Sequence, residues 1–347
     1  MQAAILTGTN KLELKKIDKP KVQPGSILIK ILSCGVCGSD IRIFKSGNNR
    51  VKYPAIIGHE IAGEIVEIGK GVHAFWQIGD KVAIGADVPC GSCNWCQNGI
   101  ANCCDKNYAM GYQFSGGYAE YCLLEPMVVK YGPITKISSD LDPDIATMSE
   151  PLACSINAFE RVYFSLGKSV LIIGSGPIGI MLALLAKTIG ASLITIADID
   201  KERLASAGTI AEPDQIINSS NEDLVKSGLK ITKNQGFDAI FTACQSPEIQ
   251  EQAMQLVAKR GFVNLFAGLP KTTRAISISS NNIHYKEAYI TGSHGSTPRQ
   301  HKTAVELIES KRINLAPLIT HKFSLKEINK AFETASKKIG LRIIVKP

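Results

Sequence analysis

The run Ser169-Val-Leu-Ile-Ile-Gly-Ser-Gly-Pro-Ile-Gly-Ile-Met-Leu-Ala-Leu-Leu-Ala leaves little freedom in how the middle of this chain folds. A short aliphatic segment bounded by glycine reads as a strand buried on both faces, and the longer apolar stretch behind it reads as a helix. Between them Gly174, Gly176 and Gly179 stand at G-x-G-x-x-G spacing, with Pro177 and Ile178 opening the helix. Alone the motif is weak. A strand before it, a helix after it and an acidic residue about 20 positions on make it specific for a dinucleotide. That residue is Asp198, which ends the next strand, Leu193-Ile-Thr-Ile-Ala. The glycines let the backbone approach a pyrophosphate, and the first amides of the helix hold it. Pro177 costs nothing there, because the N–H it lacks has no intrahelical partner. Asp198 would accept hydrogen bonds from the ribose hydroxyls and repel a 2′-phosphate, which favours NAD over NADP. Arg203, five residues on, could touch the adenosine end.

Strand–helix alternation continues through Asp238-Ala-Ile-Phe-Thr-Ala, Phe262-Val-Asn-Leu-Phe-Ala-Gly and Ala288-Tyr-Ile-Thr-Gly. It predicts an α/β fold, a doubly wound parallel sheet over 155–292. Residues 293–347, with a helix over Gln300–Ser310 and a last strand over Leu341–Val345, are too few to stand alone. They are expected to return to the first domain. That domain, 1–154, reads as short strands separated by turns: Ser26-Ile-Leu-Ile-Lys-Ile-Leu, Ile61-Ala-Gly-Glu-Ile-Val-Glu-Ile-Gly and Asp80-Lys-Val-Ala-Ile. Turn signals at this spacing predict a compact β-rich, barrel-like domain.

The first domain carries the metal-binding chemistry. His59 and Glu60 sit together in Tyr53-Pro-Ala-Ile-Ile-Gly-His-Glu-Ile-Ala-Gly, with Cys37 upstream and Glu150 downstream. A thiolate, an imidazole and one or two carboxylates are the ligands of a zinc site left open for catalysis. Cys37 lies in the glycine-studded loop Cys34-Gly-Val-Cys-Gly-Ser-Asp, the kind of loop on which rigid sheets carry reactive groups. Cys37 is favoured as the ligand and Cys34 as packing, although composition alone does not separate them. Glu150 precedes Pro151 in Asp142-Pro-Asp-Ile-Ala-Thr-Met-Ser-Glu-Pro-Leu-Ala-Cys, which opens a helix. The proline is read as a break from which Glu150 points into a cavity; a helix-terminal carboxylate is the plainer alternative. Cys154 ranks below Glu150 as a ligand. Cys90, Cys93, Cys96 and Cys104 form C-x₂-C-x₂-C-x₇-C, and four thiolates so close in sequence can close a tetrahedral, structural zinc site. Cys103 could take the place of Cys104. Iron–sulfur spacings differ from this one, and a nucleic-acid-binding zinc ribbon would carry more basic residues than the nearby Lys106.

Composition narrows the function further. Ten cysteines in an intracellular chain argue for metal before disulfides. The apolar runs stop well short of a membrane span, and Met1-Gln-Ala-Ala-Ile lacks the basic start of a signal peptide. A cytoplasmic protein with no membrane partner is expected. The formal charge of +8 comes from scattered lysines, with no basic block to bind nucleic acid, though an anionic substrate or a cofactor phosphate could use the field.

Together these motifs resemble the zinc-dependent medium-chain dehydrogenase/reductase, or alcohol dehydrogenase, family over essentially the whole chain. Its carriers are Gly35-Val-Cys-Gly-Ser-Asp, Gly58-His-Glu, the four-cysteine loop, Gly116-Gly-Tyr-Ala-Glu-Tyr, Ser149-Glu-Pro-Leu and Gly174-Ser-Gly-Pro-Ile-Gly. Glutamate in both Gly-His-Glu and Ser-Glu-Pro-Leu is similar to the sorbitol (polyol) and threonine dehydrogenase branch. The resemblance implies a Rossmann domain joined to a GroES-like catalytic domain. It implies Cys37 and His59 as ligands of a catalytic zinc, Glu60 as a third ligand or a group directly behind the metal, and Glu150 on the zinc or its water. Ser39 matches the hydroxyl that accepts the substrate proton, and Ile178, Asp198 and Arg203 match positions touching the dinucleotide. Where the branch usually has a relay histidine, five residues after the zinc cysteine, this chain has Arg42. Arginine cannot shuttle a proton at neutral pH, but it can pair with a phosphate. The expected activity is oxidation of a secondary alcohol (a polyol, sugar alcohol or cyclitol) to a ketone with zinc and NAD. L-Threonine and sugar phosphates are the alternative substrates, and a non-catalytic zinc- and nucleotide-binding protein is the weaker reading. His294 is a candidate for lining the cleft, and relatives form homodimers or homotetramers.

Overall fold

The structure is a computed structural model, and it describes residues 1–270 and 272–347. The chain divides into two compact units, Met1–Ala153 with Gly295–Pro347, and Cys154–His294.

In the second unit six parallel strands lie in the order Gln215–Asn218, Leu193–Asp198, Ser169–Ile173, Phe237–Thr242, Val257–Leu265, Tyr289–Gly292. Numbered within the unit, this is the order 3-2-1-4-5-6 of a Rossmann sheet. Ser169–Ile173 is central, with Ile172 opposite Ile196 on one side and Phe241 on the other. Its residues Val170 to Ile172 are fully buried, which is why the sequence there is unbroken aliphatic rather than alternating. The chain order reverses between this strand and Phe237–Thr242, the switch point where such sheets bind ligands beyond their carboxyl ends. The turn carrying Gly174, Gly176 and Gly179 follows at that place, and the helix Pro177–Ile189 leads away from it.

The first unit is built on a seven-stranded sheet. Ile319–Ser324, Arg342–Lys346, Ile27–Gly35, Glu60–Ile68, Lys81–Ile84 and Ile134–Lys136 lie side by side, and Tyr121–Leu124 also pairs with Ile27–Gly35. Side chains alternate across it. Ile61 and Ile65 join Ile27, Ile29, Ile31, Val82 and Phe332 in one core, while Ala62 packs with Ala83, Ala146 and Val305 in another. The chain's end is part of the sheet, since Ile344 and Val345 pair antiparallel with Gly35 and Cys34.

Local differences from the sequence reading have simple causes. Asp142 caps a short helix, Pro143–Ala146, and a second helix runs Ser149–Arg161. The break therefore lies ahead of Glu150, and Pro151 falls in a first turn, where proline removes no needed hydrogen bond. The predicted helix Gln300–Ser310 is Pro298–Glu309, started by a capping box between Thr297 and Gln300. The last strand is Arg342–Lys346.

That capped helix carries His301 into the interior, fully buried. Its Nδ1 lies 3.0 Å from Thr135 Oγ1 and its Nε2 3.0 Å from Ser149 Oγ. Burial holds the imidazole down to about 3, against an ordinary value near 6.5. A group depressed in the folded state gives stability that is complete above its unfolded pKa and is lost as pH falls toward the folded one. Stability should therefore decline between pH 6.5 and 4, with His301 contributing up to about 1.4 kcal/mol per pH unit. Urea midpoints for the wild type and His301→Asn should converge as pH drops; parallel curves would exclude this origin.

Candidate active site and metal centres

Strand Ile27–Gly35 ends at Gly35, and two residues later Cys37 caps the helix Gly38–Ser46. Gly35 sits opposite Glu60, the first residue of Glu60–Ile68, so the register alone brings Cys37 to His59 and Glu60. Two glycines permit the approach. A Cβ on Gly35 would collide with the Glu60 carboxylate. Gly58 has φ 96°, where a side chain would be strained and would press on Cys34 Sγ and the Tyr118 ring.

Donor atoms of Cys37, His59 and Glu60 all lie within 4.8 Å of one another. Glu60 is fully buried, with Oε2 held by Arg342 Nη2 and Oε1 without a hydrogen-bond partner. A buried orphan carboxylate oxygen beside a thiol and an imidazole is what a bound cation satisfies. One sulfur, one nitrogen and one oxygen leave a fourth position open, the pattern of catalytic zinc.

Asp40 holds this set in place. Its buried carboxylate accepts from the Cys37 amide (3.0 Å) and the Tyr118 hydroxyl (2.8 Å), and its other oxygen lies 3.2 Å from His59 Nδ1. With Nδ1 so engaged, Nε2 is the nitrogen left for a metal. Burial alone would push the His59 imidazole down, but Asp40 and then Cys37 outweigh it and hold it well above its usual range. Burial would likewise raise the Cys37 thiol, yet His59 brings it to about 7. The site thus favours thiolate and a neighbouring positive charge, a role a dication fills.

Ser39 Oγ lies 3.4 Å from His59 Nε2, and the Tyr112 ring stands 6.2 Å from that of His59. Arg42, by contrast, is exposed. Glu150 is buried in the first turn of Ser149–Arg161, outside the close-packed trio, and Cys154 lies on the same helix. Cys34 is fully buried in its strand, and burial pushes its thiol well up, as suits a packing residue. His294 is exposed.

Cys90, Cys93, Cys96 and Cys104 form a second donor cluster. Cys93 Sγ is 3.5 Å from Cys96 Sγ and 3.9 Å from Cys104 Sγ, and Cys90 Sγ is 3.9 Å from Cys96 Sγ. Cys103 is exposed and outside the group. The Ser92 amide and hydroxyl, together with the Cys93 amide, hold the Cys90 thiol down to about 6. Four sulfurs around one point fit a closed, structural zinc site.

At the glycine turn, the helix Pro177–Ile189 begins with no side-chain cap, so its first amides are available to an anion. A Cβ on Gly179 would collide with the Gly174 carbonyl, so the turn can be this tight only with glycine there. Asp198 Oδ2 accepts from the Ser175 amide (2.6 Å) and hydroxyl (2.8 Å), and Oδ1 from the Ile199 (2.7 Å) and Asp200 (3.1 Å) amides. Arg203 reaches back toward Gly176.

Family comparisons agree with this chemistry. Residues 23–133 match the alcohol dehydrogenase GroES-like domain, and residues 177–310 match the zinc-binding dehydrogenase domain. The chain belongs to the zinc-dependent medium-chain alcohol dehydrogenase family. It is 34% identical to L-threonine 3-dehydrogenase of Pyrococcus horikoshii, over 92% of this chain and 91% of that one. It is 30% identical to sorbitol dehydrogenase of Halalkalibacterium halodurans (95% and 94% covered) and to D-arabitol-phosphate dehydrogenase of Enterococcus avium (97% and 94%). Among solved structures, a zinc-binding dehydrogenase of Sinorhizobium meliloti 1021 bound to NADP superposes with a TM-score of 0.92 at 25% identity, covering 100% of this chain and 99% of that one. An alcohol dehydrogenase of Escherichia coli CFT073 complexed with NADH gives 0.91 at 25%, with the same coverage. As a member of this family the chain is an oxidoreductase acting on CH–OH donors, using zinc and a nicotinamide dinucleotide on a small-molecule alcohol.

Asp40, Tyr112, Tyr118 and Arg342 were not singled out from sequence. Asp40 had a signal, three residues after Cys37 at a helix start, where a carboxylate reaches back to the capping residue's amide. Arg342 had none, standing 282 residues from its partner. Replacing Arg342 with glutamine leaves the Glu60 carboxylate buried without its cation, at a cost of about 3–5 kcal/mol. Chemical denaturation should show that loss, and adding Glu60→Gln should recover part of it; an unchanged midpoint would contradict the pairing.

Proposed function

We propose that this protein oxidises a secondary alcohol on a polyol, sugar alcohol or cyclitol to the ketone, with NAD as hydride acceptor. The observation that carries the reading is the packing of Cys37, His59 and the half-satisfied Glu60 within 4.8 Å, with Ser39 beside His59. In this reading Cys37 and His59 hold the catalytic zinc, Glu60 is the third ligand or stands directly behind it, and Glu150 serves the metal or its water. Cys90, Cys93, Cys96 and Cys104 hold the structural zinc. When bound, zinc acidifies the substrate hydroxyl, as it lowers water from about 15.7 to about 7, and the nicotinamide takes the hydride.

The chain's own groups do the rest. Asp40 fixes the His59 ring and the Cys37 backbone, so the donor positions are set before substrate arrives. Ser39 Oγ, 3.4 Å from His59 Nε2, receives the substrate's hydroxyl proton. Gly174, Gly176, Pro177, Ile178 and Gly179 cradle the pyrophosphate, and Asp198 with Arg203 receives the adenosine ribose. The preference for NAD rests on Asp198, whose carboxylate is pinned by four donors and meets a 2′-phosphate as like charge. L-Threonine is the second substrate reading, favoured by the 34% identity to the Pyrococcus horikoshii enzyme. The proposal includes a cytoplasmic homodimer or homotetramer, which sedimentation equilibrium distinguishes.

Assay of a panel of polyols, cyclitols, sugar phosphates and L-threonine by NADH absorbance identifies the substrate. Chelation of the zinc at Cys37 and His59 should abolish NADH formation, and added zinc should restore it; full turnover by metal-stripped protein would refute the mechanism. Asp198→Ala should shift the ratio of kcat/KM for NAD over NADP toward NADP by tenfold or more. A ratio that stays put would remove Asp198 from cofactor choice.

A further inference from the structure

A cavity of about 1220 Å³ opens in the first unit, and it carries charge of one sign. Lys15, Arg50 and Lys52 line it, and its wall contains no aspartate or glutamate. Lys15 is paired with Glu13 at 2.8 Å, but among the described residues no carboxylate pairs with Arg50 or Lys52. Arg50 is held in position by its neighbours: Nη2 donates to the Asn107 carbonyl and the guanidinium lies 4.7 Å over the Tyr112 ring. Its Nε is buried without a hydrogen-bond partner. Two unneutralised cations and an unused donor in a concave wall make a place for an oxyanion.

One residue stands between the cavity and the reaction centre. Tyr112 lines the cavity and has its ring 6.2 Å from that of His59. Tyr112 thus lies between His59 and Arg50, its ring centroid 6.2 Å from the His59 ring and 4.7 Å from the Arg50 guanidinium, a separation on the scale of an extended sugar-alcohol chain. Tyr53, Tyr108 and Tyr112 offer that chain ring faces and hydroxyls.

We infer that this cavity receives an oxyanion, a phosphate ester or a carboxylate, carried by the distal end of a polyhydroxy substrate, with Arg50 and Lys52 as its charge partners. The inference rests on the alcohol-oxidation reading for the reacting end and adds the substrate class. It also moves the anion contact from the exposed Arg42 to Arg50.

The test uses the zinc-loaded enzyme with NAD and three matched sets of substrates: pentitols and hexitols, their terminal phosphates, and the corresponding aldonates. One of the two anionic forms should exceed its neutral parent in kcat/KM by about 100-fold or more, and which one it is distinguishes phosphate from carboxylate. Arg50→Gln and Lys52→Gln should each cut that ratio by about tenfold or more. Lys52→Gln keeps the test open if loss of the Arg50–Asn107 contact impairs folding. Equal kcat/KM for charged and neutral forms, or a ratio unmoved in a folded variant, overturns the inference while leaving alcohol oxidation intact. Oxidation of none of the three sets removes the polyol reading. Calorimetry with inorganic phosphate then judges the cavity alone: tenfold weaker binding by Lys52→Gln supports it, and equal or absent binding overturns it.

Discussion

Glu60 is fully buried, and the arrangement of the metal centre follows from how its charge is met. One oxygen is taken by Arg342, from the last strand of the chain; the other is left for a cation beside Cys37 and His59. A carboxylate in such a place is costly unless paired, and removing the partner costs more than the pair contributes. Closing the sheet with residues 342–346 is therefore part of building the site, because the strand that pairs with Gly35 and Cys34 also delivers the guanidinium. Gly35 leaves just enough room for the carboxylate to lie against its strand.

Asp40 does for the other two donors what Arg342 does for Glu60. A single buried carboxylate accepts the Cys37 amide and the Tyr118 hydroxyl and engages His59, so thiol and imidazole cannot drift independently. Such second contacts fix the ring nitrogen and raise the donor strength of the ligands. The same logic recurs in the second unit, where the amides around Asp198 and the Ser175 hydroxyl orient a carboxylate at the end of a strand. At Asp198 the charge is positioned by amides and a hydroxyl rather than by a cationic side chain, which leaves it free to meet a ligand.

Sequence alone carried the motifs that act locally. The glycine turn is legible because strand, turn and helix are consecutive, and Gly179 packs on the Gly174 carbonyl five residues back. The four-cysteine loop is legible for the same reason, except that Cys103 and Cys104 differ only in which way they face. Cys34 and Cys37 differ likewise: one ends buried in a strand and the other at a helix start. The helix break near Glu150 was misplaced because proline is disfavoured within a helix but welcome in its first turn, and the sequence does not mark where the helix begins.

The amino-acid order determined the two chemistries of this protein, zinc ligation and dinucleotide binding, because both depend on short spacings that the backbone converts directly into geometry. Tertiary structure alone decided what neutralises Glu60, what fixes the His59 ring and where the unpaired cations of Arg50 and Lys52 face. Those outcomes depend on strand register and on contacts between residues far apart in the chain. Burial gives such contacts their strength, and burial exists only after the sheet has closed.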